Sequence, residues 1–293
     1  MTANNPLRGI ALMITAMLIF AIQDGLSRHM AERYGAITIT TIRYWVFCAF
    51  VVAYSVARGG GLRQVALSRH MGLQIFRGVL LALEVVVTVT AFVLLGLVET
   101  HALFSVYPLM VVAIAAPLLG ERQNTRQRWA VFGGFVGVLI ILRPGAQVFD
   151  PAALIALFAA GLFAIYQIIT RYVARDDRAM TSFFWTGVAG AGAMTLIAPF
   201  FWSPILPVDF PIMATLCFTS ILGHYLLIRA LDTTDASVIQ PFAYFQLAFA
   251  SVLGVVAFGD VIRLNVAFGT ALVVGAGVFA LVRAQLVSAR ASS

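Results

Sequence analysis

The sequence predicts an all-α integral membrane protein, with ten transmembrane helices arranged as two inverted five-helix repeats around a central cavity. The first observation is composition: 61% of the 293 residues are hydrophobic and only 11% are charged, whereas a soluble domain carries about 25% charged residues. The second is a series of apolar stretches, each close to the roughly 20 residues that a helix needs to cross a bilayer. The third is a group of short sequence features that occurs once in each half of the chain.

Charged and turn-forming residues divide the apolar stretches into ten predicted spans. The first begins near Leu7 and lacks the small-residue cleavage site of a signal peptide, so we predict a permanent transmembrane helix there. The loops between the spans are too short to hold an independent domain. The spans are predicted at residues 7–26, 36–56, 71–94, 100–119, 126–142, 152–171, 181–201, 210–229, 235–257 and 264–283.

The basic residues predict the orientation of these spans. All of them are arginines, because the chain contains no lysine, and this excludes enzymes that need a P-loop lysine or a Schiff base. With the N-terminus inside, thirteen arginines lie on the cytoplasmic side and four outside, while Arg43 and Arg77 fall within spans. The positive-inside rule therefore predicts a multi-pass protein of the bacterial inner membrane with both termini in the cytoplasm. Membrane-flanking arginines also explain the pI near 10 without a nucleic-acid partner.

Two sequence features relate the halves of the chain. The stretches FAIQDGLSRHM (20–30) and FAIYQIITRYV (163–173) align without a gap. Gly120-Glu121 and Gly259-Asp260 each end an apolar stretch that contains an early proline. Because five helices is an odd number, the second half is predicted to lie inverted in the membrane, which is a transporter architecture. The predicted repeats cover residues 1–145 and 146–293.

The segments PLMVVAIAAPLLGE (108–121) and PFAYFQLAFASVLGVVAFGD (241–260), with the ten spans and two halves, resemble the EamA type of the drug/metabolite transporter superfamily. Within it, the chain is similar to bacterial exporters of amino acids, including aromatic ones. The resemblance implies alternating access around a central cavity lined by both halves. Asp260 stands where such proteins typically carry glutamate, and we expect this difference to matter little at a loop. Glu121 is expected to be a solvated helix end.

Pro108 and Pro241 interrupt the predicted spans 100–119 and 235–257. A proline removes one helical hydrogen bond, which a membrane helix tolerates where the freed carbonyl faces protein or a wet cavity. We predict that these prolines are hinges that let the two spans bend around a substrate site. The alternative is a fixed kink that only shapes the packing.

Charged groups within the spans are costly in a bilayer and mark candidate functional positions. Glu84 lies near the centre of the third span, and Thr88, one turn on, extends the same polar face. Glu84 is predicted to face the cavity, where it contacts an ammonium group, carries a coupling proton or pairs with an arginine. Asp24 and Arg43 either pair with each other or contribute to binding or coupling. His101 is a candidate gate or proton relay, with an interfacial packing role as its alternative.

Aromatic and neutral polar side chains complete the predicted site. They suit a broad metabolite site, because ring faces hold an ammonium group or stack on an aromatic ligand; the alternative for each is ordinary packing or lipid contact. No metal site or cofactor is predicted, and Cys48 and Cys217 are expected to be small buried hydrophobic residues. The remaining predicted substrate-binding residues are Gln23, Tyr107, Tyr166, Gln167, Trp185, His224, Tyr225, Gln240 and Tyr244.

The resulting hypothesis is a secondary transporter that exports amino acids and related small metabolites by alternating access. No nucleotide-binding motif is present, so a gradient drives transport, either that of the substrate or of protons through Glu84. The alternative is a transporter of cationic drugs or nucleoside-like metabolites; a membrane enzyme or sensor is more remote, because no HExxH or GxSxG motif occurs. The expected partners are a small molecule and the bilayer. Glycine faces such as Gly133 and Gly137 pack helices within the monomer or in a homodimer.

Overall fold

The computed structural model describes residues 6–57, 61–119, 125–142, 151–233 and 240–291, and within these ranges the chain is helical, with no β-strand. Short 3₁₀ turns at Ala198–Phe200, Pro207–Asp209 and Gln240–Tyr244 precede or follow α-helices. The α-helices are α1 Pro6–Tyr34, α2 Ala36–Ala57, α3 Gly61–Ala66, α4 Met71–Leu95, α5 Leu97–Phe104, α6 Tyr107–Leu119, α7 Thr125–Leu142, α8 Pro151–Val173, α9 Ala179–Ile197, α10 Phe210–Thr233, α11 Phe245–Phe258 and α12 Leu264–Ala291.

Six helical segments are long and apolar enough to cross a membrane: they contain α1, α2, α4, α8, α9 and α10. Four shorter apolar helical stretches lie at Leu97–Val111, Phe132–Ile141, Phe242–Phe258 and Leu264–Ala276. Most observed helices begin and end within a few residues of the predicted spans, because charges and glycines mark their ends. The chain is thus an all-helical protein with at least six apolar spans in its described part.

Helix α1 is longer than predicted. It continues to Tyr34 through a segment that its charges had suggested to be a loop, and it ends at Gly35, whose φ of 77° terminates the helix. At 1.5 Å per residue, 29 residues extend about 44 Å, well beyond a hydrocarbon core of about 30 Å. The extension is stable because Arg28 and Arg33 find acidic partners in the second half of the chain.

The predicted span 100–119 is wrong as a single kinked helix. Helix α5 ends at Phe104, Ser105 and Val106 form a turn, and α6 begins at Tyr107. Pro108 therefore stands in the first turn of a new helix, where its missing N–H removes no helical hydrogen bond. Together α5 and α6 contain about 21 helical residues, or about 32 Å, so the two pieces cover the thickness of one span.

The second half contains a similar discontinuity. Gln240–Tyr244 is a 3₁₀ turn that leads into α11, and Pro241 lies at its start rather than inside an α-helix. The first residues of the predicted span 235–257 lie outside the described residues. Both prolines thus stand at the start of a helical segment and not inside a continuous α-helix.

The two halves pack closely on each other. Helix α1 lies against α10, α4 against α8, α2 against α9, and α7 against α12. Glycines allow the closest approaches: a Cβ atom on Gly137 would lie 2.8 Å from the carbonyl oxygen of Gly269, and one on Gly190 would lie 2.2 Å from the Tyr44 ring. These glycines are therefore used for packing within one chain.

Candidate functional site

A narrow cavity lies between the halves, where α1, α2, α4, α5, α6, α8, α10 and α11 meet. Its volume is about 70 Å³, which holds about five water molecules. In this conformation the space is smaller than a small metabolite. It is lined by Met13, Met17, Phe20, Gln23, Asp24, Arg43, Leu81, Glu84, Val85, Thr88, Val89, Phe92, His101, Phe104, Tyr107, Phe163, Gln167, His224, Leu227 and Gln246.

Asp24 forms the centre of one polar wall. Its Oδ2 accepts a hydrogen bond of 2.8 Å from the side-chain amide of Gln246 on α11. The Nε2 atom of His101 on α5 lies 3.1 Å from the same oxygen, without the alignment of a hydrogen bond. His101 is buried, with 4% of its side chain exposed. This wall thus joins three helices from both halves.

Glu84 forms a second polar wall on α4. Its Oε1 accepts a hydrogen bond of 2.6 Å from Thr88, one turn further along the same helix face. Both side chains line the cavity, as the sequence predicts. In the described part of the chain, no arginine lies within ion-pair distance of the Glu84 carboxylate. The role of Glu84 in binding or coupling stays a prediction.

Arg43 lies on the cavity from α2 and is 2% exposed. Its two terminal nitrogens donate hydrogen bonds of 3.3 Å to the hydroxyls of Ser27 and Ser220. Its Nε–H has no acceptor among the described residues. The predicted alternative of an Arg43–Asp24 pair is not formed in this structure, because Asp24 is engaged by Gln246 and His101.

Arg77 is also fully buried on a span, but its hydrogen bonding is complete. Its guanidinium donates to Gln74, to the hydroxyls of Tyr166 (3.0 Å) and Thr186 (3.0 Å), and to the carbonyl of Ser182. These acceptors come from α4, α8 and α9. Arg77 is therefore a structural residue that joins three helices with neutral acceptors.

Three predicted site residues lie outside the cavity. Tyr166 is turned away from it to receive the hydrogen bond of Arg77. The indole of Trp185 donates a bond of 2.9 Å to the carbonyl of Ala66, and Tyr225 is 40% exposed on the outer surface of the helices. None of the three lines the central cavity in this structure, and their role in substrate binding stays a prediction.

The remaining predicted residues divide into two groups. Tyr244 is buried beside the cavity without lining it, and its hydroxyl has no hydrogen-bond partner among the described residues. The side chains of Gln240 and Pro241 lie outside the described residues, as does Glu121. The hinge role of Pro108 and Pro241 stays a prediction, although both stand at helix starts.

Sequence reasoning missed the residues that give the cavity its ring-lined wall. Phe20, Phe92, Phe104 and Phe163 line it together with the predicted Tyr107, and the Phe163 ring lies 4.8 Å from that of Tyr107, edge to face. In an apolar sequence a phenylalanine gives no signal of its own, since most such residues face lipid or core. Gln246 was also missed.

One end of the cavity, here called the Asp260 end, is closed by ionic contacts between the halves. Asp260 accepts hydrogen bonds from Arg28 Nη1 at 2.7 Å and from the backbone N–H groups of Leu97 and Val98 at 2.8 and 3.3 Å. The carboxylate of Asp260 thus caps the first turn of α5 and pairs with α1. Whether a glutamate at this position would serve equally well stays an expectation. Arg33 and Tyr34 close the same end by binding Asp209.

The opposite end, here called the Asp177 end, is closed by hydrogen bonds to Asp177. Partial burial would raise the pKa of this carboxyl, but hydrogen bonds from Gln74, Ser68 and the backbone N–H of Arg69 outweigh it, so the pKa lies below its ordinary value. A second cavity, of about 620 Å³, lies beside these contacts. Thr170 and Ser182 line this second cavity and also accept hydrogen bonds from Arg77. Arg77 and its hydrogen-bond partners therefore lie between the second cavity and the central cavity.

Comparison with known proteins accounts for this architecture. The model of the EamA-like transporter family matches residues 7–143 and again residues 150–282. The chain belongs to the EamA-like transporter family. It is thus a membrane transporter protein built from two copies of one family unit.

Curated relatives cover nearly the whole chain. A riboflavin transporter of Brucella anthropi is 26% identical over 91% of this chain and 96% of that protein. An S-adenosylmethionine uptake transporter of Rickettsia prowazekii is 21% identical, over 93% and 92%. A pseudopaline exporter of Pseudomonas aeruginosa is 26% identical, over 82% and 84%. The more specific resemblance to amino-acid exporters receives no support from these names.

A solved crystal structure has the same fold. It superposes with a TM-score of 0.70 at 20% sequence identity, covering 94% of this chain and 98% of the other. The likeness extends over both halves and supports the helical architecture described above.

Proposed function

We propose that this protein is a secondary transporter of the bacterial inner membrane that moves small metabolites carrying a planar ring, by alternating access around the central cavity. The observation that carries the proposal is the cavity itself. It lies between the halves, combines charged side chains of both signs with a wall of aromatic rings, and is closed at both ends by polar contacts.

The packing of the halves supports an inverted repeat of ten spans. In an inverted repeat, each helix of the first half has a counterpart in the second, so that α1 corresponds to α8 and α4 to α10. A contact between α1 and α10 then has as its counterpart a contact between α8 and α4. Both contacts are extensive in the structure. The contacts α2–α9 and α7–α12 each join two corresponding helices, as expected for helices that meet at the pseudo-symmetry axis. Such pseudo-symmetry lets one set of contacts open while its counterpart closes. Orientation follows from the arginines, with both termini in the cytoplasm.

The substrate class follows from the cavity lining and from the relatives. Riboflavin and S-adenosylmethionine both carry a fused heteroaromatic ring, and the ring wall of Phe20, Phe92, Phe104, Tyr107 and Phe163 suits stacking on such a group. Aromatic amino acids fit the same description and remain in the proposal. The relatives include uptake transporters and an exporter, so we propose that direction follows the driving gradient.

The test is counterflow in liposomes that contain the purified full chain. Labelled riboflavin, S-adenosylmethionine, L-phenylalanine and L-tryptophan are offered separately, with and without a pH gradient. Glu84→Gln is compared with Glu99→Gln, a matched change at an acid that pairs with Arg263 away from the cavity. We expect at least one compound to move, with a loss of about tenfold or more in Glu84→Gln alone. Failure of all four compounds in a folded preparation would refute the proposed function.

A further inference from the structure

We propose that Arg43, with Ser27 and Ser220, forms an anion subsite that holds a carboxylate of the transported substrate. This inference rests on the proposed function and makes it narrower, because S-adenosylmethionine and amino acids carry a carboxylate whereas riboflavin carries none. Arg43 lines the central cavity from α2, and Ser27 on α1 and Ser220 on α10 are the buried hydrogen-bond partners that hold its guanidinium.

The first argument is a comparison of the two arginines buried within spans. All the hydrogen-bond donors of Arg77 are directed at acceptors of the protein. Arg43 is buried to a similar degree, yet its Nε–H has no acceptor and its two other bonds are long, at 3.3 Å. A buried cation in a membrane protein is expected to be paired. Arg43 is thus the cation whose hydrogen bonding is left incomplete.

The second argument concerns the acids of the same cavity. Asp24 is held by Gln246 and lies beside His101, and Glu84 is held by Thr88. Neither carboxylate lies within ion-pair distance of Arg43 in the described part of the chain. The positive charge on this wall is therefore not neutralised by a direct protein partner. An arriving carboxylate would supply one.

The third argument is the chemistry of the three side chains. A guanidinium binds a carboxylate through two parallel N–H donors, with a geometry that a lysine cannot reproduce. The hydroxyls of Ser27 and Ser220 accept from the two terminal nitrogens of Arg43 and so orient its guanidinium for a bound carboxylate. Both serines are buried, at 1% and 4% exposure, so the subsite is shielded from bulk water.

The experiment compares each transported acid with an analogue that lacks the carboxylate. L-phenylalanine is measured against L-phenylalaninamide, L-tryptophan against L-tryptophanamide, and S-adenosylmethionine against its decarboxylated form, in the same liposomes as above. The wild-type chain is expected to prefer the carboxylate by about tenfold or more. Arg43→Gln is expected to remove this preference, and Arg43→Lys to restore only part of it. Arg69→Gln, at an arginine that is 80% exposed, is the matched control and should keep the preference.

The outcomes separate this inference from the proposed function. If riboflavin alone moves, or if acids and amides move equally in the wild-type chain, the inference is overturned while the proposed function stands. If no compound moves, the proposed function fails, and the subsite is then tested by binding. In that case thermal protection of the detergent-purified chain by L-phenylalanine or S-adenosylmethionine, and not by the carboxyl-free analogues, supports the inference. Absence of such protection overturns it.

Discussion

Replacement of Asp260 by alanine is expected to open the Asp260 end of the central cavity. The carboxylate receives three hydrogen bonds, from Arg28 on α1 and from the first two backbone amides of α5. Asp260 belongs to the second half of the chain and all three donors belong to the first. These bonds therefore stabilise the closed end at the expense of the open one.

The size of the effect has two parts. The ion pair is partly buried, since the side chains of Arg28 and Asp260 are 14% and 12% exposed, and a hydrogen bond between charged groups contributes about 1.5 kcal/mol. Loss of the carboxylate that caps α5 costs about 1 kcal/mol more. The closed end is thus destabilised by about 2.5 kcal/mol, or about sixtyfold in its equilibrium with the open end. Asp260→Asn keeps a capping side chain and should shift the equilibrium by only about tenfold.

The assay is chemical labelling of Val89→Cys, a cavity position, in a background that carries Cys48→Ala and Cys217→Ala. A membrane-impermeant thiol reagent is added to sealed vesicles on the face where Asp260 lies. Labelling should accelerate in the order Asp260→Ala above Asp260→Asn above wild type. Arg263→Ala removes an ion pair at the same end whose arginine is 69% exposed, and it serves as the control. A rate for Asp260→Ala no higher than that of the control would refute the reasoning.

Three further predictions concern stability and pH. Gly137→Ala should lower the free energy of unfolding by about 1–3 kcal/mol, because the new methyl group would lie 2.7 Å from a methyl group of Val273. Gly161→Ala, at a position that faces open space, should be tolerated. Equal melting temperatures of the two variants would contradict this packing. Arg77→Met should lower the melting temperature strongly, by leaving several buried acceptors unpaired at about 1–3 kcal/mol each; an unchanged melting temperature would show that these bonds contribute nothing. The pKa of Asp177 is lower in the folded protein than in the unfolded chain, where it lies near 3.9. Its contacts therefore stabilise the fold fully above the unfolded-state pKa, and this stabilisation is lost as the pH falls through the folded-state pKa. Unfolding midpoints measured down to pH 3 should fall less in Asp177→Asn than in wild type.

Apolar length and arginine placement were sufficient to place most helices, because both follow directly from the bilayer. Apolar length and arginine placement did not predict the break between α5 and α6. A proline in the first turn of a new helix and a proline that kinks a continuous helix give the same sequence pattern. The same two signals also failed at the end of α1. There Arg28 and Arg33 suggest a loop. Of the acids that pair with them, Glu32 is local, but Asp260 and Asp209 are more than 170 residues away in the chain.

The candidate site was partly predictable for a related reason. A charge such as Glu84 or Arg43 in an apolar segment must face protein or a cavity, so its sequence position is informative. Aromatic residues carry no such constraint, and Tyr166 and Trp185 turned out to serve other contacts. The importance of Asp260 was not predictable, because it arises from a helix start that lies more than 160 residues earlier in the chain.

Helix α1 is a continuous rod that carries cavity residues and end-closing residues on the same few turns. Asp24 lines the cavity, and Arg28, which binds Asp260, follows one turn later, about 6 Å along the helix axis. No loop separates the two positions, so a rigid-body movement of α1 displaces both of them together. In the proposed transport cycle, a small tilt of α1 that widens the cavity would also displace the closing contacts, and the formation of those contacts would tilt the helix back. Under the proposed alternating access, occupancy of the cavity and closure of the Asp260 end would therefore be coupled through α1.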